Sequence, residues 1–231
     1  MDKTTRIISQ ARAEDRKVLL ETEAKEICME YCIPVTSFCL AKNEAEATKF
    51  AEQIGFPVVM KIVSPQIIHK SDAGGVILNL ASTAEVRSGY SKIMENANKY
   101  DPTAQIVGVS VQEMAPKSTE VIVGALKDSQ FGQTLMFGLG GIFVELLKDV
   151  AFRIAPITET DAQEMITEVK AYPILKGYRG SPSVDIKAIA DVLLNTSRLV
   201  MDYPEIKELD LNPVIAYEKG VKTVDARIIL E

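Results

Sequence analysis

The chain has 231 residues, of which 47% are hydrophobic, and a formal net charge of -6. That is enough apolar material for one large domain or two small lobes. The acidic balance excludes a general nucleic-acid binder, which needs a basic footprint. No apolar run approaches the ~20 residues that a membrane span requires. The charged stretch 1–17 does not read as a secretory signal.

In chain order, Ala24, Ile27, Cys28 and Tyr31 recur at helical spacing, and Pro34 is expected to stop that helix. The cysteines Cys28, Cys32 and Cys39 match no zinc pattern, and the first two are expected on one helix face as small buried hydrophobes. Without paired cysteines or a signal, the expected setting is the reducing cytoplasm. Val35–Leu40 reads as a strand. Asn43 with Glu46 forms a capping signature for a helix that buries Ala47, Phe50, Ala51 and Ile54 and ends at Gly55. The strand Val58–Val63 follows, then a polar, glycine-containing loop, then the strand Val76–Leu80. Ser82 with Glu85 caps a helix whose stripe is Val86, Tyr90, Ile93, Met94 and Ala97.

Beyond residue 100 the pattern changes to successive strands: Ile106–Glu113, Glu120–Leu126, Thr134–Phe137 and Ala151–Ile154. Helices are expected at Thr160–Lys170 and Ile186–Tyr203. A terminal hairpin runs Glu208–Tyr217, turns at Glu218-Lys219-Gly220 and returns as Val221–Leu230. Strands adjacent in sequence favour antiparallel pairing and an α+β class. The expected division is a helical extension 1–19, a first lobe 20–110 and a second lobe 111–231, with a hinge near Ser110–Met114.

His69, the only histidine, lies in a loop with Lys70, Ser71, Gly74 and Gly75. Imidazole is a competent nucleophile, and glycines let backbone amides approach a phosphate. On the residues alone, an ordinary surface histidine beside a turn is about equally good. Lys61 interrupts a β-branched strand, where an unpaired charge is costly to bury; it is either solvent-facing or a phosphate contact. Glu208, Asp210 and Asn212 alternate with leucines and so share one strand face. If Glu218 and Lys219 form a two-residue turn, Asn212 falls opposite Asp225. Side chains so opposed start about 4.5–5.5 Å apart, a spacing that suits two oxygen ligands of one magnesium ion. A bulge at Gly220 would move Asp225 to the other face, and on the pattern alone a plain solvated face is slightly the better reading. Gln112, Glu113 and Met114 could meet an adenine edge. Gly138-Leu139-Gly140-Gly141 could cover a phosphate, and Arg153 could steady one or sit on the surface.

Together these segments resemble the β subunits, or β domains, of ADP-forming acyl-CoA synthetases. His69-Lys70-Ser71-Asp72-Ala73-Gly74-Gly75-Val76 is similar to that family's phosphohistidine loop. Pro57-Val58-Val59-Met60-Lys61 is similar to its nucleotide-binding strand. Leu211-Asn212-Pro213 and Val224-Asp225 resemble the magnesium positions shared with succinyl-CoA synthetase β subunits. Those relatives carry a glycine-rich segment where this chain has His69, so the histidine favours the acetate-type branch.

The resemblance implies an α+β, ATP-grasp fold of two α/β lobes with ATP or ADP between them and Mg2+ as cofactor. It implies that His69 relays a phosphoryl group to ADP. Asp210 would steady the phosphohistidine, Glu113 would meet adenine, and Lys61, Gly74, Gly75 and Arg153 would contact nucleotide. Asn212 and Asp225 would hold the metal. The implied partner is an α subunit carrying the CoA-binding domain and a second phosphohistidine, in an α2β2 complex. The competing readings are an ATP-grasp carboxylate–amine ligase and a nucleotide-sensing module without catalysis.

Overall fold

The computed structural model of the protein describes every residue except Arg179 and Ser181, and for Ile142 and Glu145 the backbone only. Along the chain run α1 (Lys3–Ala13), α2 (Glu21–Glu30), β1 (Phe38–Ala41), α3 (Glu44–Ile54), β2 (Val58–Val63), β3 (Val76–Leu80), α4 (Thr83–Tyr100) and β4 (Gly108–Glu113). Then come β5 (Thr119–Asp128), β6 (Gly132–Leu139), α5 (Ile142–Glu145), β7 (Val150–Ile154), α6 (Glu159–Glu168), α7 (Tyr172–Leu175), α8 (Ile186–Asp202), β8 (Ile206–Ala216), β9 (Val221–Thr223) and β10 (Ala226–Leu230).

The chain divides into two compact units. The smaller contains Leu20–Thr22 and Thr36–Ala115; the larger contains Met1–Leu19, Glu23–Val35 and Pro116–Glu231. The boundary therefore falls at Ala115–Pro116, past the expected hinge, because Ser110–Glu113 is committed to strand pairing in β4.

In the smaller unit the four strands lie in the order β1-β4-β2-β3, with every neighbouring pair antiparallel. The two capping signatures form as expected. Asn43 accepts from the Glu46 amide at 2.9 Å, and Ser82 accepts from the Glu85 amide at 3.3 Å. Each glutamate reaches back one residue further than a standard capping box, to the amides of Lys42 and Ala81. Helices α3 and α4 pack on one side of the sheet, where Val58, Met60, Ile62, Val109 and Val111 join the core with Ala47, Ala51, Val86 and Ile93. Side chains alternate across a strand, so Lys61, Ser110 and Gln112 project from the other side.

The larger unit is a six-stranded sheet ordered β10-β8-β5-β6-β7, with β9 also paired to β8. All its pairs are antiparallel. One face packs on α6 and α8, burying Val121, Val123, Leu135, Phe137, Leu209, Leu211 and Ile228 against Met165, Ile189 and Leu193.

Residues 1–19 are not the separate extension expected from sequence. Ile8, Ala11 and Leu19 are buried in this same core, and the chain there is tied to β10. The Leu19 amide donates to the Ile228 carbonyl at 3.0 Å, and the Leu230 amide donates to the Lys17 carbonyl at 2.7 Å. The second helix ends at Glu30, before Pro34. Cys32 lies beyond it, exposed and at φ 58°, and does not share a helix face with buried Cys28. No helix among the described residues is long and apolar enough to cross a membrane.

Candidate functional site

The loop 64–75 leaves β2 and returns to β3 with its ends pinned together. The Ile62 amide donates to the Gly75 carbonyl at 2.7 Å, and the Gly75 amide donates to the Lys70 carbonyl at 2.8 Å. The Gly74 amide donates to the Ser71 carbonyl at 3.0 Å, and Asn96 donates its side-chain amide to the Gly74 carbonyl at 2.8 Å. Gly74 sits at φ +59°, and a Cβ on Gly75 would collide with the Ile62 side chain. Both glycines are therefore needed for loop closure. In this conformation the amides of Gly74 and Gly75, expected at the nucleotide, donate within the loop itself. His69 stands exposed on the outside of the loop.

Beneath the loop lies a charged cluster. Lys61 is buried, not solvent-facing, and its Nζ pairs with Glu21 Oε1 at 2.7 Å. Lys70 Nζ pairs with Glu21 Oε2 at 2.9 Å. Gln112 Nε2 donates to Glu21 Oε1 at 2.8 Å and to the Ser110 hydroxyl at 3.0 Å. Gln112 is thus committed to a buried carboxylate rather than to an adenine edge. Glu113 lies three residues along the ladder from the partner of Lys61, opposite Val58. Its carboxylate accepts from the Ser37 amide at 3.3 Å.

The second group of residues lies on the face of the larger sheet opposite α6 and α8. The two-residue turn forms as expected: Tyr217 donates to the Gly220 carbonyl at 3.1 Å, and Ala216 pairs with Val221. That register continues unbroken from Val214↔Thr223 to Ala226↔Leu211, so no bulge forms at Gly220. Asn212 lies opposite Asp225, and its amide donates to the Asp225 carbonyl at 3.2 Å.

Asp210 faces Arg227 on β10 and Gly124 on β5. Burial pushes its carboxyl above the usual range; Arg227 opposes the rise, while Asp225 and Glu208 add to it. Asp210, Asn212, Glu208 and Arg227 line a cavity of about 600 Å³ together with the apolar Ile122, Met136 and Phe152. Among the described residues no three His, Cys, Asp or Glu side chains gather as a metal cage. The donor set still fits magnesium, which keeps waters and shares substrate phosphates with one or two carboxylates.

Arg153, expected at the nucleotide, lies on the other face of this sheet. It pairs across the ladder with Leu135, a core residue on the helix side, while Phe152 pairs with Met136 on the cavity side. Its guanidinium is held by Glu168 at 2.8 Å and Glu164 at 3.4 Å, both on α6. In the glycine segment 138–141, the Gly140 amide donates to the Glu120 carbonyl at 2.8 Å, and Gly138 has no room for a Cβ beside Val144. Sequence reasoning missed Glu21 and Arg227, and saw Lys70 only as the cation of the His69 loop. Arg227 was recoverable, since the hairpin register that pairs Asn212 with Asp225 also pairs Asp210 with Arg227. Glu21 had no local signal beyond the cost of burying Lys61.

A family model described as ATP-grasp domain matches residues 10–230. The chain is 57% identical over 228 residues to the acetate–CoA ligase [ADP-forming] I subunit beta of Pyrococcus furiosus, covering 99% of this chain and 98% of that one. Two solved structures of the dinucleotide forming acetyl-coenzyme A synthetase 1 of Ca. Korarchaeum cryptofilum are also similar. One, in complex with coenzyme A and acetyl-coenzyme A, holds a phosphorylated phosphohistidine segment. It is 54% identical with a TM-score of 0.93, covering 99% of this chain and 100% of that one. The other holds coenzyme A and Mg-AMPPCP, with the phosphohistidine segment pointing towards the nucleotide binding site. It is 53% identical with a TM-score of 0.88, at the same coverage.

Proposed function

Because the chain belongs to the ATP-grasp family, and within it to the β subunits of ADP-forming acetate–CoA ligases, we propose that His69 is the phosphoryl carrier that charges ADP. The observation that carries this is the sole histidine standing exposed on a loop closed by Gly74 and Gly75. A relative 54% identical holds a phosphorylated phosphohistidine segment. In the ATP-forming direction, the terminal oxygen of ADP attacks the phosphorus on His69. A P–O bond forms as the P–N bond breaks, and the imidazole regains a proton.

Transfer of this kind depends on positioning and charge stabilisation more than on covalent help from the protein. Lys61 is a compact cation for the nucleotide phosphates, and Asp210 orients the phosphohistidine. Asn212 and Asp225 hold Mg2+. When bound, the ion neutralises phosphate charge. Glu113 meets the adenine end.

The relatives named subunit beta imply an α-subunit partner. We assign to that partner the CoA-binding domain and a second phosphohistidine, in an α2β2 assembly. A carboxylate–amine ligase has no use for the exposed histidine, and a sensing module has none for transfer. The test is incubation with magnesium and ATP labelled on its terminal phosphate. Acid-labile, base-stable label is expected on the wild-type chain and absent from His69→Ala. Undiminished label on that variant would overturn the assignment.

A further inference from the structure

We propose that Glu21 is a positioning residue for phosphoryl transfer, sharing one carboxylate between the nucleotide lysine Lys61 and Lys70, the residue that follows His69. The inference rests on the reading of His69 as carrier and extends it to what holds the carrier segment in place.

The Glu21 side chain is 2% exposed, and those of Lys61 and Lys70 are 8% and 20% exposed. A carboxylate that merely neutralised buried Lys61 would need one oxygen. Here Oε1 accepts hydrogen bonds from Lys61 and Gln112, while Oε2 lies 2.9 Å from Lys70 Nζ as an ion pair rather than a hydrogen bond. Two ammoniums on one carboxylate leave the trio with a charge of about +1, which favours an incoming phosphoryl group.

Lys70 is also the residue that closes the loop. Its carbonyl accepts the Gly75 amide at 2.8 Å, and Gly75 in turn accepts the Ile62 amide of β2 at 2.7 Å. Consecutive Cα atoms are about 3.8 Å apart, so the Glu21–Lys70 pair fixes the chain one residue from His69. Phosphoryl transfer needs reacting atoms about 3–3.5 Å apart, and a loose segment would spend little time there. The same pair, being partly exposed, can be released when the segment leaves for its other partner.

The test uses the full-length chain and Lys70→Met, which keeps the alkyl stem and leaves the Lys61–Glu21–Gln112 contacts in place. We expect the Mg-ATP Kd to stay within twofold while the single-turnover rate of His69 phosphorylation falls at least tenfold. Lys70→Arg should restore most of that rate. Glu21→Gln, which also disturbs the Lys61 pair, should show at least this defect, and the double variant Lys70→Met with Glu21→Gln should be no slower than Glu21→Gln alone, since the Glu21–Lys70 pair is already lost there. Hydrogen exchange at the Gly75 amide should quicken in Lys70→Met, a change that a bulk electrostatic role of Lys70 would not produce.

Wild-type rates in Lys70→Met would overturn the proposal. So would defects that multiply in the double variant, which would make Lys70 a direct phosphate contact instead. A wild-type chain that takes no acid-labile label would defeat the His69 reading and this role with it. A labelled wild type with an unaffected Lys70→Met would defeat the Glu21 role alone.

Discussion

Asp210 is an acid whose surroundings favour its protonated form, chiefly through burial and then through Asp225 and Glu208. Its folded pKa lies above the ordinary 3.8, so the native state holds this proton more tightly than the unfolded chain. Stability from this group is present below the unfolded pKa and is lost as pH rises through the folded one. Asp210→Asn should therefore melt higher than wild type at pH 7 without magnesium, and the gain should vanish below about pH 3.8. The same variant should phosphorylate more slowly if Asp210 orients the carrier. Thermal melts across pH would count against the account if the gain were flat with pH or absent. At this scale the sequence was informative where a residue type is unusual for its place. His69 is unique, and Lys61 breaks an apolar strand. Glu21 was invisible because it acts through partners far along the chain, and nothing in a helix start distinguishes a glutamate that caps from one that binds two lysines.

The terminal hairpin was legible because period-2 alternation and a two-residue turn together determine which residues oppose one another. Asn212 and Asp225 meet as those two rules require. The strand Val150–Ile154 was not legible in the same way. Its apolar Phe152 and Ile154 are exposed, while the charged Arg153 turns to the helix side and pairs with α6. A pattern that normally places charge outward is inverted there because α6 presents Glu164 and Glu168 to receive it. The two strands thus make opposite forecasts. Asp225→Ala should weaken magnesium-dependent nucleotide binding at least tenfold with little change in melting temperature. Arg153→Ala should leave nucleotide affinity unchanged, because its side chain is on the other face of the sheet. Titration calorimetry with Mg-ADP distinguishes them, and a large loss of affinity in Arg153→Ala would contradict the assigned faces.

For the whole molecule, the α+β class was legible, and strands adjacent in sequence pair antiparallel at β2–β3, β5–β6, β6–β7 and β8–β9. The central pairs β2–β4 and β5–β8 join distant strands, and the division of the chain was not legible. Residues 1–19 looked peripheral because they are charged, yet Ile8, Ala11 and Leu19 are each at most 4% exposed in the core of the larger unit. Three buried apolar positions spread over 19 residues give too weak a period to reveal which core they enter. Fully burying a large aliphatic side chain contributes about 1.5–3 kcal/mol. Against a typical net stability of about 5–15 kcal/mol, deletion of residues 1–19 should leave the larger unit poorly folded. A deletion variant that melts like wild type would contradict this placement.

At the same scale, the purified chain should bind adenine nucleotide yet form no ATP from acetyl-CoA, ADP and phosphate until the α subunit is added. The central claim is that phosphate on this chain is a competent intermediate, and one measurement reaches it directly. The chain is phosphorylated with terminally labelled ATP, freed of nucleotide, and mixed with magnesium and unlabelled ADP. The account predicts labelled ATP appearing in step with loss of label from His69; release of that label as inorganic phosphate, with no labelled ATP formed, would contradict it.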